Sequence, residues 1–114
     1  MKVAVFDVNT MSLVEKDIED ELDVYYEIID CQTIDIVTRK VNGRWFDIIC
    51  DDEGLLKDEI VVSAIDRNLQ TMLVGTLIFT HHDGAGYTTG ISDDDVKCLK
   101  DATQFGIVFP CEYL

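Results

Sequence analysis

The sequence predicts a single α+β domain over residues 1–114, built as a mainly antiparallel sheet with a central Asn-Gly hairpin and two or three helices. Three observations carry this. Residues 33–50 (TIDIVTRKVNGRWFDIIC) set Asn42-Gly43 between two runs rich in β-branched and aromatic residues, and that dipeptide suits a type I′ turn, in which both central residues need positive φ. Apolar residues recur at helical spacing over 18–29 and again after Ser92. The chain has 114 residues, 47 % of them hydrophobic, and one Pro. Area scaling for that length gives a folded surface of roughly 6,300 Å² against about 18,700 Å² unfolded, enough for one core.

Taken in order, residues 2–8 (KVAVFDV) alternate loosely and read as an opening strand, with Asn9-Thr10 as a turn. A short strand follows near 12–15. Ile18, Leu22, Tyr25, Tyr26 and Ile29 then share one side of a helical wheel while Glu and Asp fill the other, so a helix is expected over about 18–29. In the hairpin, opposed residues have numbers summing to 85. One face then holds Ile34, Ile36, Trp45 and Ile49; the other holds Val37, Val41, Phe46 and Ile48. Both faces are apolar towards the middle, so cover is expected on both. Arg39 opposite Phe46 and Lys40 opposite Trp45 form two cation–aromatic pairs, worth about 0.5–1 kcal/mol each if exposed.

Residues 51–54 (DDEG) make an acidic turn, and Ser63 reads as the cap of a short helical segment reaching about residue 70. Residues 72–80 (MLVGTLIFT) read as one buried strand, with Gly75 marking a bulge. The stretch 81–90 is a loop or hairpin tip. Ser92 caps a helix with Asp93, Asp94 and Asp95 in its first turn, where they complement the helix dipole. Val96, Leu99 and Phe105 form its apolar side and Gly106 ends it. Residues 107–109 are expected as a final edge strand before Pro110. An edge at 2–8 or 107–109, or an apolar hairpin face, would be the surface for a homodimer; the oligomeric state stays open.

Composition excludes several roles. No run of 18 apolar residues exists, so no membrane span is expected. The opening MKVAVFDVNT lacks the features of a secretory signal, which points to a cytoplasmic protein. Cys31, Cys50, Cys98 and Cys111 show no C-x-x-C spacing and are read as reduced, with Cys50 and Cys98 as core fillers. With 23 Asp+Glu against 9 Lys+Arg, a net charge of −14 and a pI near 4.1, direct binding of nucleic acid is disfavoured, because phosphate contacts depend on clustered Lys and Arg.

The charge is segregated. Segment 15–30 carries eight acids against Lys16, a net of −7; segment 47–59 carries six against Lys57, a net of −5; segment 93–101 nets −2, and the rest is neutral. Seven charges match about 12 Å of duplex DNA, at one charge per roughly 1.7 Å. An acidic helix of that density suits a groove built for nucleic acid, and such steering acts on association rate more than on buried affinity. The expected partner-binding residues are Asp17, Glu19, Asp20, Glu21, Asp23, Asp51, Asp52 and Glu53. Reversing Asp20, Glu21 and Asp23 together is expected to weaken binding and leave the thermal midpoint nearly unchanged.

Other motifs fall away. Read as an EF-hand with Gly54 in sixth place, the 51–54 turn would need an oxygen ligand at Ile49 and a Glu at Ile60. A looser divalent site from Asp47, Asp51 and Asp52 is a weaker reading than a solvated acidic turn. His81 and His82 are adjacent on a strand and point to opposite faces, so they do not share an ion with Asp83. Gly84-Ala85-Gly86 lacks the helix that follows a dinucleotide loop. No nucleophile elbow, zinc-protease motif or P-loop is present, so no catalytic residue, metal or cofactor is assigned. A small-ligand site, for a nucleotide signal, is the alternative, with Arg39, Lys40, Arg44, Trp45 and the loop 81–86 as its basic and Gly-rich material.

The runs IDCQTIDIVTRKVNGRWFDIICDDEGLLKD and TMLVGTLIFTHHDGAGYTTGISDDDV resemble a family of small acidic domains. That family is encoded by phages, plasmids and conjugative elements of Gram-positive bacteria. The resemblance spans roughly residues 29–96 and leaves the acidic segment 15–30 outside. It implies a mobile-element gene and transfers no catalytic residue, because the family has no established activity. The combined expectation is a non-enzymatic inhibitor of anti-CRISPR or anti-restriction type, imitating DNA at the basic site of a host defence nuclease. A guide-RNA-directed nuclease, with its positively charged channel, is one example.

Overall fold

In a computed structural model, residues 1–57, 59–102 and 109–113 are described. Strand β1 (Lys2–Asp7) and strand β2 (Ser12–Asp17) form a first hairpin, and helix α1 (Leu22–Ile29) follows. Strands β3 (Ile34–Val41) and β4 (Arg44–Asp51) lead to a 3₁₀ turn (Gly54–Leu56) and then to β5 (Val62–Ile65) and β6 (Thr71–Val74). Strand β7 (Leu77–His82), the two-residue β8 (Thr88–Thr89), helix α2 (Asp93–Ala102) and β9 (Phe109–Glu112) complete the chain. The sheet order is β2-β1-β7-β4-β3-β9-β5-β6, with β8 paired to β7. Among the described residues every pairing is antiparallel except β5 with β9. A mostly antiparallel sheet with two helices is an α+β fold. No helix among the described residues is long and apolar enough to cross a membrane.

The sheet curls. Ala64 of β5 and Leu73 of β6, at the far end of the strand order, pack in one cluster with Phe6, Phe46, Phe79 and Phe109. The chain permits this because β6 passes through Gly75 (φ 76°) straight into β7. Helix α2 joins the same cluster through Val96, Leu99 and Ala102. On the opposite face, Tyr25 and Ile29 of α1 cover Val3, Val5, Ile49 and Ile78. Odd and even positions of β4 therefore enter two different cores, the consequence of a strand buried on both faces. Between β3 and β4, Val41 pairs with Arg44, which leaves Asn42 (φ 48°) and Gly43 (φ 82°) as the two turn residues.

Several expectations are corrected. Helix α1 starts at Leu22 and not near 18, because β2 stays paired through Asp17 and the Ile18 N–H donates to Met1 O at 2.9 Å. Ile18 still packs on the α1 core, but from extended chain. Residues 63–70 are strand and turn, not helix. The Ser63 side chain is buried and donates to Leu73 O (3.2 Å), and the Asp66 carboxylate accepts the N–H groups of Asn68 (2.8 Å) and Gln70 (3.0 Å). The run 72–80 is two strands, split at Gly75 and Thr76, and they pair with different neighbours. Strand β1 lies between β2 and β7, and β9 lies between β3 and β5 with Pro110 inside it, so neither is an edge. Phe105, Gly106 and residues 107–108 fall outside the described residues. Arg39 sits over Tyr113 (4.6 Å), not Phe46, whose ring is fully buried against Phe79 and His81. Lys40 lies 5.9 Å from the Trp45 ring centre.

Candidate functional site

The segment leading into α1 leaves the end of β2 and bends at Asp20, where the Glu21 N–H donates to Glu19 O at 3.0 Å. Asp17 is exposed at the end of β2 and accepts from the Met1 ammonium at 3.0 Å. Glu19, Glu21 and Asp23 are exposed, Asp23 in the first turn of α1, where a negative charge suits the helix dipole. Asp20 has a second task. Tyr25 is buried against the sheet, and its hydroxyl donates to the Asp20 carboxylate. A buried phenol needs such a partner. Burial first, and Asp20 second, hold the Tyr25 hydroxyl above its ordinary pKa.

The second acidic group sits where β4 ends. Asp51 is turned inward: its side chain is only 5 % exposed, it pairs with Lys57 (2.6 Å) and it accepts the Glu53 N–H (2.9 Å). Asp51 therefore organises the turn, while Asp52 and Glu53 project into solvent. Lys57 Nζ also donates to the carbonyl of Asp30 (2.8 Å), the left-handed residue that ends α1 (φ 60°). This ties the turn to the C-terminal end of α1. The groups 17–23 and 52–53 thus lie at opposite ends of one eight-residue helix, about 12 Å long, with exposed Glu27 between them. Among the described residues, the carboxylates of Glu19, Glu21, Asp23, Glu27, Asp52 and Glu53 take part in no hydrogen bond or ion pair. Several cations are engaged elsewhere: Lys2 with Glu15 and Asp93, Arg44 with Asp95, and Arg67 with Glu112.

Two His–Asp pairs escaped the sequence reading. His81 and His82 do face opposite ways, and each meets a carboxylate from a distant element. His82 Nδ1 lies 2.5 Å from Asp47 Oδ2, and Asp47 also accepts the Thr38 hydroxyl at 2.9 Å. On the other face His81 Nε2 lies 3.0 Å from Asp95 Oδ2, with the imidazole stacked on Phe46 at 5.2 Å. Asp95 also accepts from Arg44 (2.9 Å) and from the Ser92 N–H (2.9 Å), while its own N–H donates to Ser92 Oγ (3.1 Å). That reciprocal Ser–Asp bonding is a capping box opening α2. Burial alone would raise the Asp95 pKa, but the bonds from Ser92, Arg44 and His81 outweigh it and hold the carboxyl at about 2. A lone Asp in the apolar run FDIIC was the one sequence signal for the first pair. Asp83 belongs to neither pair; it accepts the N–H groups of Ala85 and Tyr87 and shapes the 83–87 tip.

The remaining candidates are dispersed. Arg39 and Arg44 stand on one face of the hairpin, Lys40 and Trp45 on the other. The cleft lined by Arg39 (about 240 Å³) and that lined by Lys40 (about 320 Å³) are separate. Among the described residues no group of three or more His, Cys, Asp or Glu is placed to hold a metal ion. All four cysteines are free, and burial pushes the Cys50 and Cys111 thiols up to about 12.

Fold and surface together define a small single-domain α+β protein with a helix face flanked by unpaired carboxylates. The chain belongs to the DUF3846 family, a domain of unknown function, whose family profile matches residues 1–105. The match takes in the acidic segment 15–30. No curated protein and no solved structure matches the chain.

Proposed function

We propose that this chain is a non-enzymatic binding protein that docks its acidic face on a basic, nucleic-acid-binding surface of another protein and blocks it. A host defence nuclease attacked by a mobile element is the partner class in view. The observation that supports this reading most is the set of unpaired carboxylates at both ends of α1, at Glu19, Glu21, Asp23, Asp52 and Glu53. Asp17, Asp20 and Asp51 frame them, each with a polar contact inside the chain. Unpaired carboxylates at both ends of a helix about 12 Å long offer a cationic groove the negative charge that a stretch of phosphates offers. Such a contact accelerates association and suppresses wrong partners more than it deepens affinity.

The bond from Tyr25 to Asp20 changes the choice of test. Reversing Asp20 removes the partner of a buried hydroxyl, so the informative triple is Glu19→Lys, Glu21→Lys and Asp23→Lys. Wild-type and triple-variant chains are immobilised and exposed to lysate of bacteria carrying restriction and guide-RNA-directed nucleases. The proposal expects a nuclease retained by the wild type, displaced by duplex DNA and lost with the variant, whose melting temperature stays close to wild type. Equal retention by both chains at moderate salt refutes it.

A further inference from the structure

Helix α1 covers only part of its face of the sheet, and the uncovered part carries the material of a ligand site. Beyond Ile49 and Ile78, Ile36 is 49 % and Trp45 41 % exposed, and the His82 side chain is 57 % exposed. The registers place these residues in rows. Lys40 pairs with Trp45 across β3 and β4, and Thr38 with Asp47. Asp47 pairs with Thr80 across β4 and β7; carried two residues on, that register sets His82 across from Trp45. The stacking of Phe46 on His81, one residue earlier and on the opposite face, shows that it does carry on. The row is therefore Glu112, Lys40, Trp45, His82, with an indole between a cation and an imidazole and the Glu112 carboxylate engaged by Arg67 at 2.6 Å.

We propose that this row binds a mononucleotide, its base stacked on Trp45 and its phosphate held by Lys40. An exposed indole offers a flat apolar face that any base can stack on, and base–aromatic stacking needs no sequence readout. Lys40 is a mobile point charge suited to phosphate. Asp47 engages Nδ1 of His82 and leaves Nε2 open towards a ribose hydroxyl, while Thr38 and His82 together engage the Asp47 carboxylate. The acidic groups around α1 repel a longer polyanion, so a single nucleotide and not a strand is the ligand. The site uses none of the carboxylates invoked for docking and stands apart from that reading.

Trp45 is the chain's one tryptophan, so its fluorescence reports the site directly. Wild-type protein is titrated with AMP, adenosine, inorganic phosphate and a short oligodeoxynucleotide, with calorimetry alongside. The proposal expects saturable quenching by AMP, weaker quenching by adenosine and none by phosphate. Lys40→Ala should weaken AMP by roughly tenfold, the value of one charge-assisted hydrogen bond, and leave adenosine unchanged. Trp45→Phe should weaken AMP and adenosine alike in calorimetry. Absence of saturable quenching up to millimolar AMP, an unchanged affinity in Lys40→Ala, or tighter binding of the oligonucleotide than of AMP overturns it. In the Glu19, Glu21 and Asp23 variant adenosine should bind as in wild type while the oligonucleotide binds more tightly, which separates this site from the docking face.

Discussion

Replacing Asp95 by Asn is expected to loosen the junction between α2 and the sheet, and the size of the loss follows from its proton. Asp95 is buried and holds its carboxyl at about 2, against an ordinary value of 3.8. Its folded-state pKa is depressed, so its contribution is complete above the unfolded value and is lost as pH falls through about 2. A shift of that size corresponds to roughly 2 kcal/mol at neutral pH, and to about half of that near pH 3. The substituted amide retains an oxygen for the Ser92 N–H but loses the charge that faces Arg44 and His81. At roughly 4 °C per kcal/mol for a domain near this size, Asp95→Asn should melt about 8 °C lower at pH 7. Urea unfolding of both proteins at pH 7 and pH 3 measures the effect. A gap below about 0.5 kcal/mol at pH 7, or one that stays constant between the two pH values, refutes the reasoning.

The remaining predictions concern packing, turn and thiols. At Gly54 a Cβ would stand 2.7 Å from Val74 Cγ2, so Gly54→Ala should cost about 1–3 kcal/mol in urea unfolding, with part recovered on adding Val74→Ala. If the double variant loses as much as the two single changes added together, the clash is not the cause. Gly43 adopts φ 82° in the hairpin turn, and Gly43→Ala should lower stability by about 1–2 kcal/mol through backbone strain alone; an unchanged urea midpoint contradicts it. Cys50 and Cys111 are buried with thiols near 12, whereas Cys31 and Cys98 are half-buried. A thiol reagent followed by mass spectrometry should therefore mark Cys31 and Cys98 in the native protein and the other two only after unfolding. Early labelling of Cys50 or Cys111 would contradict the packing.

What was legible in the sequence was local. Asn42-Gly43 announces a turn because few dipeptides tolerate two positive φ values, and Ser92 with Asp95 announces a helix start because the cap bonds are made within four residues. The failures lie where a distant partner decides. Ile18 has helical spacing to Leu22 and Tyr25, yet the pairing of β2 with β1 keeps it extended. Residues 63–70 carry a plausible cap at Ser63, but that hydroxyl is engaged across the strand pair by Leu73. Gly75 reads as a bulge, and only the curl of the sheet makes it the point where one strand becomes two. For the candidate site, the positions of the acids were readable and their availability was not. Asp51 and Asp20 look like their neighbours in sequence, and only Lys57 and Tyr25 reveal that each already has a partner. The Asp47–His82 and Asp95–His81 pairs join residues 35 and 14 apart in sequence, and beyond the lone Asp in FDIIC no local pattern marks their partners.

The central claim is that the carboxylates around α1 take the place of phosphates on a cationic surface. The most direct measurement is the affinity of the chain for a nuclease captured on it, read between about 50 and 200 mM salt with and without labelled duplex DNA. The account predicts a steep fall in affinity with salt, mutual exclusion of chain and duplex, and loss of both effects in the Glu19, Glu21 and Asp23 variant. An affinity indifferent to salt, or a nuclease that holds the chain and the duplex at once, would contradict it.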